Sequence, residues 1–158
     1  MRLDNQAEAV YQRLQPSTLF RASMRIAVIS DVHDQVSNLR LVLKALAPLS
    51  PKTLLCCGDI TRPKTLEVML DFPGEVRFCL GNCDAPLSRE LLALTRIHPL
   101  LIGFPRLGTL ALESGASAAF IHSPAEAAVL ADSGRYRAVF YGHTHQREAA
   151  LQPLAEGA

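Results

Sequence analysis

Short apolar runs that end in a metal-binding type of residue constrain this fold more than any other feature of the chain. Runs rich in Val, Ile, Leu, Phe and Cys are typical of buried strands. Asp, Asn or His follows each of these runs closely: RIAVIS-DVH (25–33), TLLCC-GD (53–59), EVRFCL-GNCD (75–84), SAAFI-H (117–122) and AVFY-GHTH (138–145). The pattern predicts strands whose ends deliver polar side chains to one place.

Helical signals lie between these runs. Residues 38–47 have apolar positions at helical spacing, Ser37 or Asn38 is the predicted N-cap, and Pro48 follows. Shorter helices are predicted over 65–70 and 88–94. Around residue 123, the spacing of Ser, Pro and Glu indicates a capping box that opens a helix ending near Asp132. Strands alternating with helices predict an α/β protein with a largely parallel sheet.

The bulk properties indicate one globular domain. The chain has 158 residues, of which 49% are apolar and 20% charged, and a net charge of +1 gives no nucleic-acid or membrane-surface signal.

We divide the chain into an N-terminal extension (1–23) with a predicted helix from Asp4 to Leu14, a domain (24–147) and a short tail (148–158). The lack of a secretory signal and of any run of 18 apolar residues predicts a cytoplasmic protein.

Seven polar residues after the strands are candidate metal ligands. Asp31 and His33, like His143 and His145, lie two positions apart, and in extended backbone such pairs point to one side. A glycine before Asp59 and before Asn82 allows a sharp turn. The full set is Asp31, His33, Asp59, Asn82, His122, His143 and His145. Oxygen and imidazole ligands suit Mn²⁺, Fe, Zn²⁺, Co²⁺ or Ni²⁺, and seven ligands favour two ions sharing one carboxylate.

In this order, D-x-H, G-D, G-N-x-D, H and G-H-x-H resemble the motifs of the calcineurin-like metallophosphoesterases, and most closely the YfcE-like group of small phosphodiesterases. The resemblance spans residues 24 to about 147. It implies a four-layer α/β/β/α sandwich with a dinuclear metal centre. Mn²⁺ is the expected metal, and Zn²⁺, Fe, Ni²⁺ or Co²⁺ are the alternatives. By resemblance, Asp31, His33 and His145 hold one ion, Asp59 bridges, and the other ion is held by Asn82, His122 and His143.

The implied activity is hydrolysis of a small phosphoester by metal-bound hydroxide, as a phosphodiesterase or also as a phosphatase. Asp59, Asn82, Cys83 and His122 are the predicted catalytic residues. Two divalent ions and two carboxylates leave a positive site that attracts a phosphodiester anion. Two alternatives remain: a nuclease, which the near-neutral charge disfavours, and a non-catalytic metal-binding interaction module on the same fold.

Three departures from the family pattern carry expectations. Cys83 stands where much of the superfamily has a histidine, which predicts weak acid catalysis and a preference for good leaving groups. Ser-Pro follows His122 where glycine is usual. The chain also stops sooner after His145 than its relatives do, so C-terminal strands are expected to be missing. The sheet edge left exposed is then covered by a second copy, giving a homo-oligomer, or by residues 1–23, or else the domain has low stability.

Several other residues have less specific interpretations. Asp34 and Asp84 are each either an orienter of a ligand side chain or an ordinary turn residue. Arg62 is expected to be a solvated loop residue rather than a phosphate contact. His98 matches no motif and is expected to be structural. The remaining cysteines, Cys56, Cys57 and Cys79, are predicted core thiols.

Overall fold

The computed structural model describes residues 24–145. The extension 1–23, its predicted helix from Asp4 to Leu14, and the tail 148–158 lie outside the described residues. The first sheet has four parallel strands in the order β1-β2-β3-β4. They are β1 (Ile26–Ile29), β2 (Thr53–Cys56), β3 (Glu75–Cys79) and β4 (Leu101–Phe104). Ile26 pairs with Thr53, Thr53 with Glu75, and Val76 with Leu101.

The second sheet has three strands in the order β5-β6-β7: β5 (Gly108–Ala111), β6 (Ser117–Phe120) and β7 (Ala138–Phe140). β5 runs antiparallel to β6, whereas β7 runs parallel to it. The α-helices are α1 (Val36–Leu46), α2 (Pro63–Met69), α3 (Ser88–Ala93) and α4 (Pro124–Asp132). Short 3-10 helices cover Ala47–Leu49, Asn82–Leu87 and Leu94–Arg96.

Strand alternation divides the interior into two clusters. Leu54 and Cys56 of β2 belong to a cluster that includes Leu39 of α1, Leu66 of α2 and other residues of the helical layer. Their neighbours Leu55 and Cys57 belong to a second cluster, which also contains residues of β5 and β6 and therefore lies between the two sheets. With α4 packed against β7, the order of layers is α/β/β/α, as predicted.

Three element predictions were wrong in detail. β4 was missed, because its short run contains Gly103, whose lack of a side chain leaves room for the ring of Phe78. α1 begins at Val36 after Gln35, with no side-chain cap bond, so neither Ser37 nor Asn38 is the N-cap. α2 begins at Pro63, two residues earlier than predicted, because proline is favoured at the first position of a helix.

The opening of α4 agrees only in part with the predicted capping box. The Ser123 hydroxyl accepts the backbone N–H of Glu126, as predicted. The Glu126 carboxylate, however, pairs with Arg106 on the loop after β4. At the edge of the second sheet, β7 pairs with β6, and no further strand joins it within residues 24–145. The homo-oligomer expected at such an edge stays a prediction.

Candidate metal centre

All seven candidate ligands lie just past the carboxyl ends of strands. β1 leads to Asp31 and His33, β2 to Asp59, and β3 to Asn82; β6 and β7 lead to the remaining three histidines. Backbone hydrogen bonds join these loops: Asp31 N–H donates to the Gly58 carbonyl at 3.0 Å, and His33 N–H to the Asp59 carbonyl at 3.0 Å. The two sheets therefore bring one set of loops together at one end of the sandwich.

Asp31, His33 and His145 form the first cluster of ligand atoms. The Nε2 atoms of the two histidines are 3.3 Å apart, and they lie 3.9 and 3.5 Å from Asp31 Oδ1. Two atoms that each bind one ion at about 2.1 Å are at most about 4.2 Å apart. All three separations meet that limit, so the cluster fits a single ion.

Asn82, His122 and His143 form the second cluster. Asn82 Oδ1 lies 2.9 Å from His122 Nε2 and 3.0 Å from His143 Nδ1. The two ring nitrogens are themselves 3.2 Å apart. These separations again suit one ion, with an amide oxygen and two imidazoles as donors.

Asp59 lies between the two clusters. Its Oδ2 atom is 3.7 Å from His33 Nε2 and 3.4 Å from His122 Nε2. Its Oδ1 atom accepts the backbone N–H of Cys83 at 2.9 Å. One carboxylate oxygen is thus anchored to the backbone, while the other faces a ligand nitrogen from each cluster, which is the position of a shared ligand.

The surroundings of His122 test whether this set fits a cation. Its Nδ1 atom lies 2.8 Å from the Cys57 carbonyl oxygen, which can only accept, so Nδ1 carries the proton in the neutral ring. Nε2 then presents a lone pair to Asn82 Oδ1 and Asp59 Oδ2, which also carry lone pairs. His143 Nδ1 can supply at most one proton to this group, and the remaining acceptors repel one another unless a cation lies between them. The donor set therefore fits a divalent ion.

The backbone at the ligands differs from the sequence-based expectation. Asp31 and His33 have φ of 55° and 44°, and His143 and His145 have φ of 76° and 55°. These pairs lie in left-handed backbone after the strands end, not in extended strand as predicted. Asp59 has φ of 54°. Left-handed backbone is strained for residues other than glycine and is concentrated at functional sites.

Two glycines make room for the ligands in different ways. Gly58 has φ of +95°, and a Cβ there would lie 2.7 Å from His122 Nδ1. Gly81 has φ of −99°, which any residue adopts. A Cβ on Gly81 would instead lie 2.1 Å from Asp59 Oδ1. Only the first therefore supplies the special turn that the sequence predicted, whereas the second supplies space for the shared carboxylate.

The two neighbouring carboxylates, Asp84 and Asp34, contact backbone or side-chain groups other than the ligand imidazoles. Asp84 is fully buried, and it accepts Thr61 N–H at 2.7 Å and Gly81 N–H at 2.8 Å. It fixes two ligand-bearing loops through their backbone and does not orient an imidazole. Asp34 accepts the Thr65 hydroxyl at 2.8 Å and pairs with the exposed Arg62 at 3.0 Å, so it does not orient His33.

Cys83 lies at the surface of the site. Its side chain is exposed, and the Asn82 amide donates to Sγ at 3.3 Å. A hydrogen bond to the Asp59 carboxylate is the main cause that raises the pKa of the Cys83 thiol. Its Sγ also groups with His33 and Asp59 as a potential ligand atom. The other three cysteines are buried, as predicted, and all four are free thiols.

Comparison with known proteins decides the family. Residues 24–153 match the calcineurin-like phosphoesterase superfamily domain. The chain belongs to the calcineurin-like phosphoesterase superfamily. It is accordingly a hydrolase of the phosphoesterase class, as the order of the D-x-H, G-D, G-N-x-D and G-H-x-H motifs implied.

Two relatives extend this assignment. The chain is 25% identical over 126 residues to phosphodiesterase MJ0936 of Methanocaldococcus jannaschii, covering 78% of this chain and 75% of that protein. A solved structure described as a novel archaeal phosphodiesterase superposes with a TM-score of 0.70 at 23% identity, over 79% of this chain and 76% of that one. The second likeness shows that the calcineurin-like fold is shared.

Some features of the phosphoesterase site were not predicted. The Cys57 carbonyl, which fixes the proton on His122, is a backbone atom without a sequence signal. Arg106 and Glu126 line a cavity that also touches Asn82 and His143, but their pairing spans two loops and has no local pattern.

His98 is absent from the groups of potential ligands among residues 24–145. No helix in that range is long and apolar enough to cross a membrane.

Proposed function

We propose that the protein is a phosphodiesterase that uses two divalent ions, with Mn²⁺ as the first choice and a small phosphoester as substrate. Membership of the phosphoesterase superfamily supports the class of reaction, and the 25% identity to a named phosphodiesterase supports the diester preference. We also propose that it acts in the cytoplasm, in keeping with its four free cysteines.

The convergence of acceptor atoms around His122 Nε2 carries the proposal. Asn82 Oδ1 and Asp59 Oδ2 lie 2.9 and 3.4 Å from this nitrogen. The proton of the ring is on Nδ1, which donates to the Cys57 carbonyl. A purely structural histidine at this position would meet a donor. His143 Nδ1, which is 3.0 Å from Asn82 Oδ1 and 3.2 Å from His122 Nε2, supplies at most one proton to this group. The remaining converging acceptors favour a bound cation, since acceptors cannot satisfy one another.

In this proposal the chain positions the ions and the substrate. When bound, the ions activate the attacking water and stabilise the charge on the phosphoryl oxygens. Asp31, His33 and His145 would hold one ion, and Asn82, His122 and His143 would hold the other. Asp59 would be the ligand that the two ions share. The Cys83 N–H keeps that carboxylate in place, and Asp84 keeps the loops of Asp59 and Asn82 together.

Cys83 has the role of a weak donor to the substrate. The exposed thiol borders the shared carboxylate through its own backbone N–H. A thiol donates hydrogen bonds weakly compared with an imidazolium. The proposal therefore includes a preference for phosphodiesters whose leaving groups need little protonation.

The test is hydrolysis of bis(p-nitrophenyl) phosphate by the full chain with and without Mn²⁺. We expect Mn²⁺-dependent turnover that is lost in Asp59→Ala and His143→Ala. Asp71→Asn serves as the matched control, because Asp71 is exposed and pairs with Arg40 rather than with a candidate ligand. Metal binding without turnover would favour the interaction module. Turnover of DNA or RNA ends in place of the small diester would favour the nuclease.

A further inference from the structure

A cavity of about 570 Å³ adjoins the second cluster of candidate ligands. One part of its wall is formed by Asn82, His122 and His143, so a molecule in the cavity reaches the centre directly. Another part is formed by apolar residues, namely Leu80, Ile121, Pro124 and Ala125. We call this space the apolar cavity. Volume and lining are those of sites that bind small organic groups.

The polar residues at the apolar cavity balance one another. Arg106 on the loop after β4 forms an ion pair with Glu126 in the first turn of α4, and both line the cavity. The Ser123 hydroxyl accepts the Glu126 N–H. The charges of Arg106 and Glu126 cancel, and the Ser123 hydroxyl already accepts a hydrogen bond from the helix backbone. The lining therefore presents no unpaired charge to a ligand.

The space beside the first cluster differs in character. A cavity of about 980 Å³ there touches His33 and is lined by several charged residues, including Asp34, Arg62, Lys64 and Glu67. A phosphodiester bound at the centre has two substituents. The cavity beside His33 and the apolar cavity beside His143 therefore offer them different surroundings, one charged and one apolar.

We infer that the apolar cavity binds one substituent of the phosphodiester and selects an uncharged apolar group, such as a phenyl ring, at that position. This inference rests on the proposed function, since it assumes that the phosphoryl group binds at the centre. Burial of an apolar ring against Leu80, Ile121 and Pro124 provides the affinity, and the neutralised Arg106–Glu126 pair disfavours a charged substituent.

Binding of two phosphonates, measured by calorimetry on the Mn²⁺-loaded protein, tests the inference without turnover. Phenylphosphonate and methylphosphonate share one phosphoryl group and differ in a single substituent. We expect phenylphosphonate to bind about 10-fold more tightly or better, as burial of a ring predicts. Equal affinities, or no binding of either compound to metal-loaded protein, would overturn the inference.

Two substitutions of alanines on α4 by phenylalanine test whether the preference for the phenyl group arises in the apolar cavity. Ala125→Phe fills the cavity that Ala125 lines, and we expect the phenyl-to-methyl affinity ratio to fall towards one. Ala128→Phe is the matched control, because Ala128 is exposed one turn later and does not line the cavity. It should keep the wild-type ratio. A ratio that survives in Ala125→Phe, or that falls equally in both variants, contradicts the assignment.

A charge variant tests the selection against charged groups. Glu126→Gln leaves Arg106 without its carboxylate partner. We expect the affinity for 4-carboxyphenylphosphonate, relative to phenylphosphonate, to rise several-fold in this variant. An unchanged relative affinity would contradict the role of the ion pair.

Failure of this inference and failure of the proposed function have different signatures. Hydrolysis of bis(p-nitrophenyl) phosphate with equal phosphonate affinities would reject the apolar cavity and keep the phosphodiesterase. A strong phenyl preference without hydrolysis of any diester would keep the cavity as a binding site and reject the catalytic proposal.

Discussion

The backbone N–H of His143 donates to both carboxylate oxygens of Asp31, at 3.1 and 3.0 Å, although the two residues are 112 positions apart in the chain. Asp31 follows β1 of the first sheet and His143 follows β7 of the second. This contact therefore joins the two sheets at the candidate metal centre. It also orients the carboxylate towards His145, whose Nε2 atom is 3.5 Å from Oδ1.

Replacing Asp31 should remove one ion and leave the other. In Asp31→Asn the first cluster loses its charged carboxylate, whereas the remaining amide oxygen still accepts the His143 N–H, so Asn82, His122 and His143 keep their contacts. We expect the Mn²⁺ content to fall from two ions per chain to one, and turnover to fall at least 100-fold, as loss of a charge-stabilising group typically causes. Elemental analysis after gel filtration measures the first quantity. Asp71→Asn should retain both ions, and equal losses in the two variants would contradict this account.

A methyl group at position 81 should disturb the shared carboxylate. The Cβ of Gly81→Ala would lie 2.1 Å from Asp59 Oδ1, so the carboxylate must move. We expect at least about 10-fold lower turnover, because small displacements of catalytic groups are costly. The control is Gly115→Ala, where a Cβ meets nothing within 4 Å but φ is +84°. That variant should lose stability and keep its activity. Full activity of Gly81→Ala would show that the space at Gly81 is not needed to position Asp59.

Asp84 should contribute strongly to stability. Its buried carboxylate accepts two backbone N–H groups, from Thr61 and Gly81. Asp84→Ala leaves both donors without an acceptor, which costs about 2–4 kcal/mol of unfolding free energy. Urea denaturation of metal-free protein measures this loss. A change below about 1 kcal/mol would show that the bonds contribute little beyond a typical single hydrogen bond.

Much of this architecture is readable from sequence because it depends on local apolar runs and their order. Strands β1, β2 and β3 and the ends that carry Asp31, Asp59 and Asn82 follow from that pattern. β4 does not, since Gly103 breaks its run and its place is set by the ring of Phe78 in the neighbouring strand. Strand existence was thus predicted where the signal is local and missed where a tertiary contact decides.

In the candidate site, too, the features with a local sequence signal were predicted and those set by tertiary contacts were not. Which residue types could bind metal follows from D-x-H and G-H-x-H, but how they converge does not. The left-handed backbone at His33 and His143, with φ of 44° and 76°, has no signature in those residues. The roles of Asp84 and Asp34 also remained open, because their partners Thr61 and Thr65 are distant in the chain. The metal-binding roles themselves stay predictions.

Thiol reactivity should separate Cys83 from the other cysteines. Desolvation by burial raises the pKa of Cys56 and Cys57 well above the ordinary range and that of Cys79 to about 12. These thiols stay protonated at alkaline pH, and the thiolate is the reactive form. The Asp59 carboxylate raises the pKa of Cys83 as well, but its thiol is exposed. Iodoacetamide at a pH of about 8.5 should therefore modify Cys83 alone, and slowly, in native protein. All four should react in urea; native labelling of Cys79 would contradict the described packing.

Exchanging Cys83 for histidine should improve catalysis. Histidine is a stronger hydrogen-bond donor than a thiol and can protonate a departing oxygen. We expect Cys83→His to gain turnover, with the largest gain on diesters that have alkyl leaving groups. The rate ratio between a methyl and a p-nitrophenyl leaving group measures this. If the metal-loaded variant gains nothing on either substrate, Cys83 does not occupy the position of an acid catalyst.

The most direct test of the central claim is electron paramagnetic resonance of the full chain titrated with Mn²⁺. Two ions that share Asp59 would interact magnetically, since Oδ2 faces ligand nitrogens of both clusters at 3.7 and 3.4 Å. We predict binding of two Mn²⁺ per chain and a coupled signal that Asp59→Ala abolishes. One isolated Mn²⁺ per chain, or no binding at all, would contradict the dinuclear centre.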